Sequence, residues 1–171
     1  LGLAEKTGLK ELEITTRAIP DFDRLMRTRL EILDKKGITM KDLREVVGSM
    51  EPLPGAVEFI NELRAAMQVI ILSDTFQEFM PPLMEKLGYP TLFCNDLVID
   101  EAGRILDYTL RQRDGKRHAA LALRSMNLRV YAAGDSYNDL SMIQEADRGA
   151  FFRAPESIIK ELPEFPTLKS Y

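Results

Sequence analysis

Along the first fifty positions, apolar residues recur three and four apart. In DFDRLMRTRLEILDKKG, Phe22, Leu25, Met26, Leu30 and Leu33 fall at helical spacing, Asp21 after Pro20 stands where an N-cap belongs, and Gly37 ends the run. TMKDLREVVGSM repeats the arrangement, with Thr39 as the cap and Leu43, Val46, Val47 and Met50 facing inward. Both patterns predict helices, which together make a small helical unit over residues 1–50.

At EPLPGAVEF the pattern changes. Pro52, Pro54 and Gly55 mark a boundary near residues 51–55. Beyond it, helical stretches alternate with short apolar runs. A helix over 56–67 leads to VIIL (69–72), whose unbroken apolar character suits a strand of a parallel sheet buried on both faces. A helix ending near Gly88 precedes a short strand, TLFC, and then DLVID and RILDYTL form a hairpin with Gly103 in its turn. Helix KRHAALALRSM, strand VYAAG, helix NDLSMIQEA, the run GAFF and a last helix, APESIIKEL with Pro155 in its first turn, complete the chain. Strands alternating with helices predict an α/β fold, a parallel sheet with helices on both faces. The predicted division is a helical segment, 1–50, followed by an α/β core, 51–171.

Composition narrows the possibilities. With 171 residues and 45% hydrophobic content, the chain can bury one sizeable core and a small appendage. One Cys and one His make neither an internal disulfide nor a zinc site, so any metal must be held by oxygen. A net charge of -4 argues against a nucleic-acid partner. The locally basic RQRDGKR (111–117) reads as a solvated loop unless one of its cations is aimed at a site. No apolar run approaches the roughly 18 residues of a membrane span, and no signal sequence is recognisable, so no membrane partner and a cytoplasmic location are expected.

In open α/β sheets ligands lie beyond the carboxyl ends of the strands. There the sequence places Ser73, Asp74 and Thr75 after VIIL, Asp135 to Asp139 after VYAAG, and Lys116 ahead of the KRHAALAL helix. Two acidic side chains within one turn repel unless a cation lies between them, and oxygen-only ligands favour Mg²⁺. Asp135, at the strand end, is the natural direct ligand. Asn138 and Asp139 could cap the next helix, orient metal-bound water, or hold Lys116. A hydroxyl such as that of Ser73 donates to a phosphate oxygen, and a lysine offers the same group a point charge. Each element alone has an ordinary reading as a cap, a turn residue or a solvated lysine. Their joint occurrence, each just past a strand or ahead of a helix, suits a dianionic phosphate and its metal.

ILSDT, Lys116 and GDSYNDLSMI resemble the second, third and fourth motifs of the haloacid dehalogenase superfamily of phosphotransferases. Within it the chain is most similar to phosphoserine phosphatases, in particular to the bifunctional phosphoserine phosphatase and homoserine phosphotransferase type. The similarity covers nearly the whole chain, and DFDRLMRTRLEIL looks like the cap helix that closes over phosphoserine. The resemblance implies a three-layer, Rossmann-like core with a helical cap and an Mg²⁺-dependent hydrolysis of phosphoserine through an aspartyl-phosphate, with homoserine as the acceptor alternative to water. It implies that Ser73, with Asp74 and Thr75 beside it, binds the phosphoryl group and that Lys116 neutralises the intermediate. Asp135 would ligate Mg²⁺, with Asp139 behind it and Asn138 near the substrate. Arg29 would pair with the substrate's carboxylate and Phe22 would form an apolar wall. Read without the resemblance, Arg29 is a helix-surface ion pair with Glu31 or Asp34. The oligomeric state stays open, a homodimer included.

The family's nucleophile, the first aspartate of an aspartate-x-aspartate motif ending the first strand, has no match. That strand is expected ahead of a segment like AEKTG, hence upstream of Leu1, together with the acidic residue for the substrate's amine. DFD (21–23) fits as letters, but no apolar strand feeds it and a helix continues from it. Asp74 follows a strand but has no partner two positions on. A central strand missing from the sheet would leave open edges on the strands ending near Ser73 and Gly134. As written, the chain also reads as a phosphate-binding protein without turnover.

Overall fold

The computed structural model describes residues 21–171 together with Gly8 and Ile19. AEKTG lies outside the described residues except for its glycine. Two compact units, Leu1–Arg111 and Gln112–Tyr171, make up the chain.

The first unit contains α1 (Phe22–Lys35), α2 (Met40–Gly48), α3 (Ala56–Ala66), β1 (Ile70–Phe76), a 3-10 turn (Gln77–Phe79), α4 (Pro81–Lys86), β2 (Thr91–Ile99) and β3 (Ile105–Thr109). The predicted caps form. Asp21 Oδ1 accepts from the Arg24 amide at 2.7 Å, and Thr39 and Asp42 close a capping box on α2, with the Thr39 amide donating to Asp42 at 2.7 Å. Leu30 and Leu33 of α1 and Met40 and Leu43 of α2 share one buried cluster with Ile105 of β3, and Leu97, Ile99 and Tyr108 pack against it. The apolar faces of the two helices are therefore completed by the β2–β3 hairpin. Residues 51–55 run along the surface between these helices and α3.

β1 pairs parallel with β2, and β2 pairs antiparallel with β3. Where the sequence reads TLFC and DLVID apart, the structure has one strand that changes partner: Asn95 opposes Phe76 of β1, while Asp96 opposes Thr109 of β3. Asn95 is buried, and its side chain accepts from the Arg111 amide at 3.2 Å. β1 also runs past VIIL. Leu72 opposes Phe93 and Phe76 opposes Asn95, so Ser73, Asp74 and Thr75 face Cys94 alone and form a bulge.

The second unit contains α5 (Gly115–Ser125), β4 (Tyr131–Gly134), a 3-10 turn (Tyr137–Asp139), α6 (Leu140–Glu145), β5 (Arg148–Phe152), α7 (Glu156–Glu161) and β6 (Thr167–Leu168). Its sheet is parallel throughout, in the order β4-β5-β6. Ala120, Ile143, Phe151 and Ile158 are its most deeply buried apolar residues. The two-residue β6 has no counterpart in the sequence reading, because a strand so short has no period to show. Among the described residues, β1 bonds only to β2 and β4 only to β5, so each has one open edge. No described helix is long and apolar enough to cross a membrane.

Leu43 is 1% exposed at the centre of the cluster shared by helices and hairpin. Leu43→Ala should cost about 3 kcal/mol in urea unfolding. Amide hydrogen exchange should then quicken in β3 as well as in α2, and unchanged protection of β3 would show that the hairpin does not depend on this core.

Candidate functional site

In the second unit the chemistry gathers around one buried carboxylate. Asp139 is 6% exposed, and a buried charge needs a full set of partners. Its Oδ1 accepts from Lys116 Nζ at 2.7 Å. Its Oδ2 accepts from the Asp135 amide at 3.0 Å, the Ser136 amide at 3.2 Å and the Ser136 hydroxyl at 3.1 Å. Of the roles left open by the sequence, Asp139 thus takes two: it completes a capping box with Ser136 and it holds Lys116.

Backbone geometry makes this possible. A Cβ on Gly134 would lie 2.3 Å from Asp139 Cβ and 2.6 Å from Oδ2, so only glycine lets the carboxylate fold back over the strand end. Lys116 stands in the first turn of α5, behind Asp114, which adopts a left-handed φ of 49°. Asp114 Oδ1 accepts from the Ser141 hydroxyl at 2.8 Å and so ties the start of α5 to α6. Neither Asp114 nor Ser141 was singled out from the sequence, where both read as ordinary turn and helix residues. Asp135 contributes its amide to Asp139 while its side chain stays exposed. Asn138 is exposed and accepts from the Ser136 hydroxyl.

The first unit holds the other candidates. Within the bulge, Ser73 Oγ accepts from the Thr75 amide at 3.3 Å, a local turn that lifts these residues out of the ladder. Asp74 is exposed there. Phe22 and Arg29 lie seven residues apart on α1, two turns along nearly the same face. Arg29 is half-buried, and that burial pushes its guanidinium below its usual pKa. Glu31, one partner considered for it, faces Lys35 at 3.8 Å.

DFD has a structural use. Asp21 caps α1, while Asp23 binds Arg27 at 2.9 Å and accepts from the Tyr108 hydroxyl at 2.6 Å. Tyr108 packs edge-on against Phe22 and against Phe76, which in turn packs against Phe79. Nothing in the hydrophobic pattern marks Tyr108 beyond its place in a hairpin strand. The structure thus joins Lys116 to Asp139, with the Asp135 amide on the same carboxylate, in one unit. It carries Ser73, Asp74, Thr75, Phe22 and Arg29 in the other. Among the described residues no group of three or more His, Cys, Asp or Glu side chains is placed to hold a metal.

A family model described as haloacid dehalogenase-like hydrolase matches residues 7–144. Over 171 residues the chain is 52% identical to phosphoserine phosphatase ThrH of Pseudomonas aeruginosa, all of this chain aligning with 83% of that protein. It is 51% identical to a phosphoserine phosphatase of Pseudomonas syringae, with 72% of that protein covered. Among solved structures, a phosphoserine phosphatase in apo form shares the fold with a TM-score of 0.77 at 24% identity, over 99% of this chain and 84% of that one.

The contact at Gly134 gives a direct test of how the carboxylate is built in. Gly134→Ala should lower stability by about 3 kcal/mol, since the clash is with atoms next to the backbone that cannot rotate away. Exchange of the Asp135 and Ser136 amides should quicken in the same variant. Wild-type stability would show that Asp139 does not need the strand end this close.

Proposed function

The chain belongs to the haloacid dehalogenase-like hydrolases, and from that premise we propose that it is a phosphatase acting on O-phospho-L-serine. The observation that carries the proposal is the buried Lys116–Asp139 pair at 2.7 Å beside the exposed carboxylate of Asp135. A fixed cation and an accessible carboxylate at the carboxyl end of a parallel strand are what a phosphate dianion with its counter-ion requires. The two Pseudomonas relatives, at 52% and 51% identity, support phosphoserine as the substrate.

The reaction proposed is phosphoryl transfer to an aspartate and then to water. A carboxylate oxygen attacks phosphorus as the bond to the serine oxygen breaks, and that oxygen takes a proton from a second aspartate, expected like the first outside the described residues, which takes one back from the attacking water in the next step. Water then attacks the phosphorus of the acyl phosphate, releasing phosphate and restoring the carboxylate. The attacking aspartate is expected outside the described residues, since Asp21 and Asp23 are committed to α1 and Tyr108. Lys116, held in place by Asp139, offsets the negative charge that accumulates on the phosphoryl oxygens. The Ser73 hydroxyl donates to one of those oxygens, and the bulge presents it with Asp74 and Thr75 away from the strand ladder.

Both oxygens of Asp139 are occupied by donors, so the carboxylate this motif offers to a metal is that of Asp135. Mg²⁺ commonly binds through one or two carboxylates and completes its shell with water and substrate phosphate, so this donor fits it. When bound, the ion supplies positive charge to the phosphoryl group. The helices up to residue 50 act as the cap in this reading, with Arg29 pairing with the substrate carboxylate, Phe22 beside it and Asn138 near the substrate.

Phosphoserine hydrolysis by the complete protein, followed by phosphate release, tests the proposal, and no turnover with Mg²⁺ present would refute it. Adding homoserine to the same assay and analysing for its phosphate ester decides which acceptor is used. Asp135→Asn should abolish Mg²⁺-dependent turnover while the circular dichroism spectrum stays that of wild type, and undiminished activity would remove Asp135 from the metal. Arg29→Ala should raise KM for phosphoserine about 10- to 100-fold, the worth of one charge-assisted hydrogen bond, and barely change KM for a phosphate ester without a carboxylate. Equal losses on both esters would return Arg29 to a purely structural place on α1.

A further inference from the structure

Tyr108 touches both parts of the first unit that the proposed function uses. Its hydroxyl donates to Asp23 Oδ1 at 2.6 Å in the first turn of α1. Its ring meets Phe22 edge-on, with centroids 6.1 Å apart, and Phe76 edge-on at 6.2 Å. Phe76 is the residue at which β1 rejoins the ladder after the Ser73–Thr75 bulge. A single side chain on β3 therefore bridges the start of the helix bearing Phe22 and Arg29 and the end of the segment bearing Ser73.

The bridge is directional. Ring packing alone allows a helix to slide or roll by small amounts, whereas the hydroxyl fixes one carboxylate oxygen at the helix start. Asp23 is held on its other side by Arg27 Nε, which meets Oδ2 at 2.9 Å, so the acceptor is itself oriented. Burial and the Asp23 carboxylate push the Tyr108 phenol up to about 12, and the hydroxyl keeps its proton, and so remains a donor, throughout the working pH range. Because Phe22 and Arg29 share one helix face, fixing the first turn fixes both.

We infer that Tyr108 is a positioning residue for substrate selection: it sets the α1 face that bears Phe22 and Arg29 against the strand end that bears Ser73, Asp74 and Thr75. The inference rests on the phosphoserine reading above. Its effect falls on recognition of the substrate's carboxylate, since its hydroxyl bonds to Asp23 on the helix that bears Arg29.

The test compares wild type, Tyr108→Phe, Asp23→Ala and the double variant of the complete protein on phosphoserine and on p-nitrophenyl phosphate, which has no carboxylate. Tyr108→Phe keeps the ring packing and removes only the hydroxyl. It should raise KM for phosphoserine about threefold to tenfold, as one net hydrogen bond allows, with kcat and the p-nitrophenyl phosphate KM within about twofold of wild type. Asp23→Ala should give a similar rise, and the double variant should be no worse than the worse single, because both remove the same bond. Equal rises for the two esters, additive losses, or an unchanged phosphoserine KM would each overturn the inference. If Arg29→Ala discriminates between the esters while Tyr108→Phe does not, the role of Tyr108 falls and the phosphoserine reading stands. If wild type hydrolyses only the p-nitrophenyl ester, both fall.

Discussion

Everything at the end of β4 follows from the need to satisfy the buried carboxylate of Asp139. Moving a carboxylate out of water costs several kcal/mol unless its lone pairs are filled, and here four donors fill them. Two are amides of the residues that immediately follow the strand, so the turn must curl around its own side chain. That curl brings Asp139 within the volume a Cβ on residue 134 would occupy, and the glycine there is the consequence. The remaining charge is met by Lys116, which fixes where α5 begins.

The first unit is organised by packing instead of by charge. α1 and α2 bury their apolar faces on the β2–β3 hairpin, and β2 reaches that hairpin by leaving β1 at Asn95. The same exchange of partners ends the β1 pairing and leaves Ser73 to Thr75 opposite a single residue. Bulge, hairpin and helical core are thus one construction: the hairpin that completes the helices also carries Tyr108, whose ring lies on Phe76.

The parts legible in the sequence are those whose causes are local. Asp21 and Thr39 cap their helices through residues three positions on, Gly103 turns the hairpin, and the Asp135–Asp139 segment follows its strand as its spacing foretold. The parts that stayed hidden depend on partners distant in sequence. The continuity of β2 is masked by Asn95, whose burial is made tolerable by the Arg111 amide sixteen residues away. The bulge exists only as a mismatch between two strands. The tie between Tyr108 and Asp23 spans 85 positions, so the neighbours of DFD are enough to set it aside as a nucleophile motif but not to show what holds Asp23.

The two carboxylates of GDSYND divide their work. Like charges four residues apart would oppose each other if both looked outward for a counter-ion. Asp139 has its counter-ion within the protein: Lys116 lies against it with both side chains about nine-tenths buried. The charge of Asp139 is thereby answered before any ligand arrives, and a cation meeting the exposed Asp135 needs to compensate one carboxylate, not two. The same pairing orients Lys116, because an ammonium on a four-carbon stem gains direction only from what it is bound to. One buried aspartate therefore both relieves its neighbour and aims the lysine, and neither effect requires it to touch a metal or a substrate.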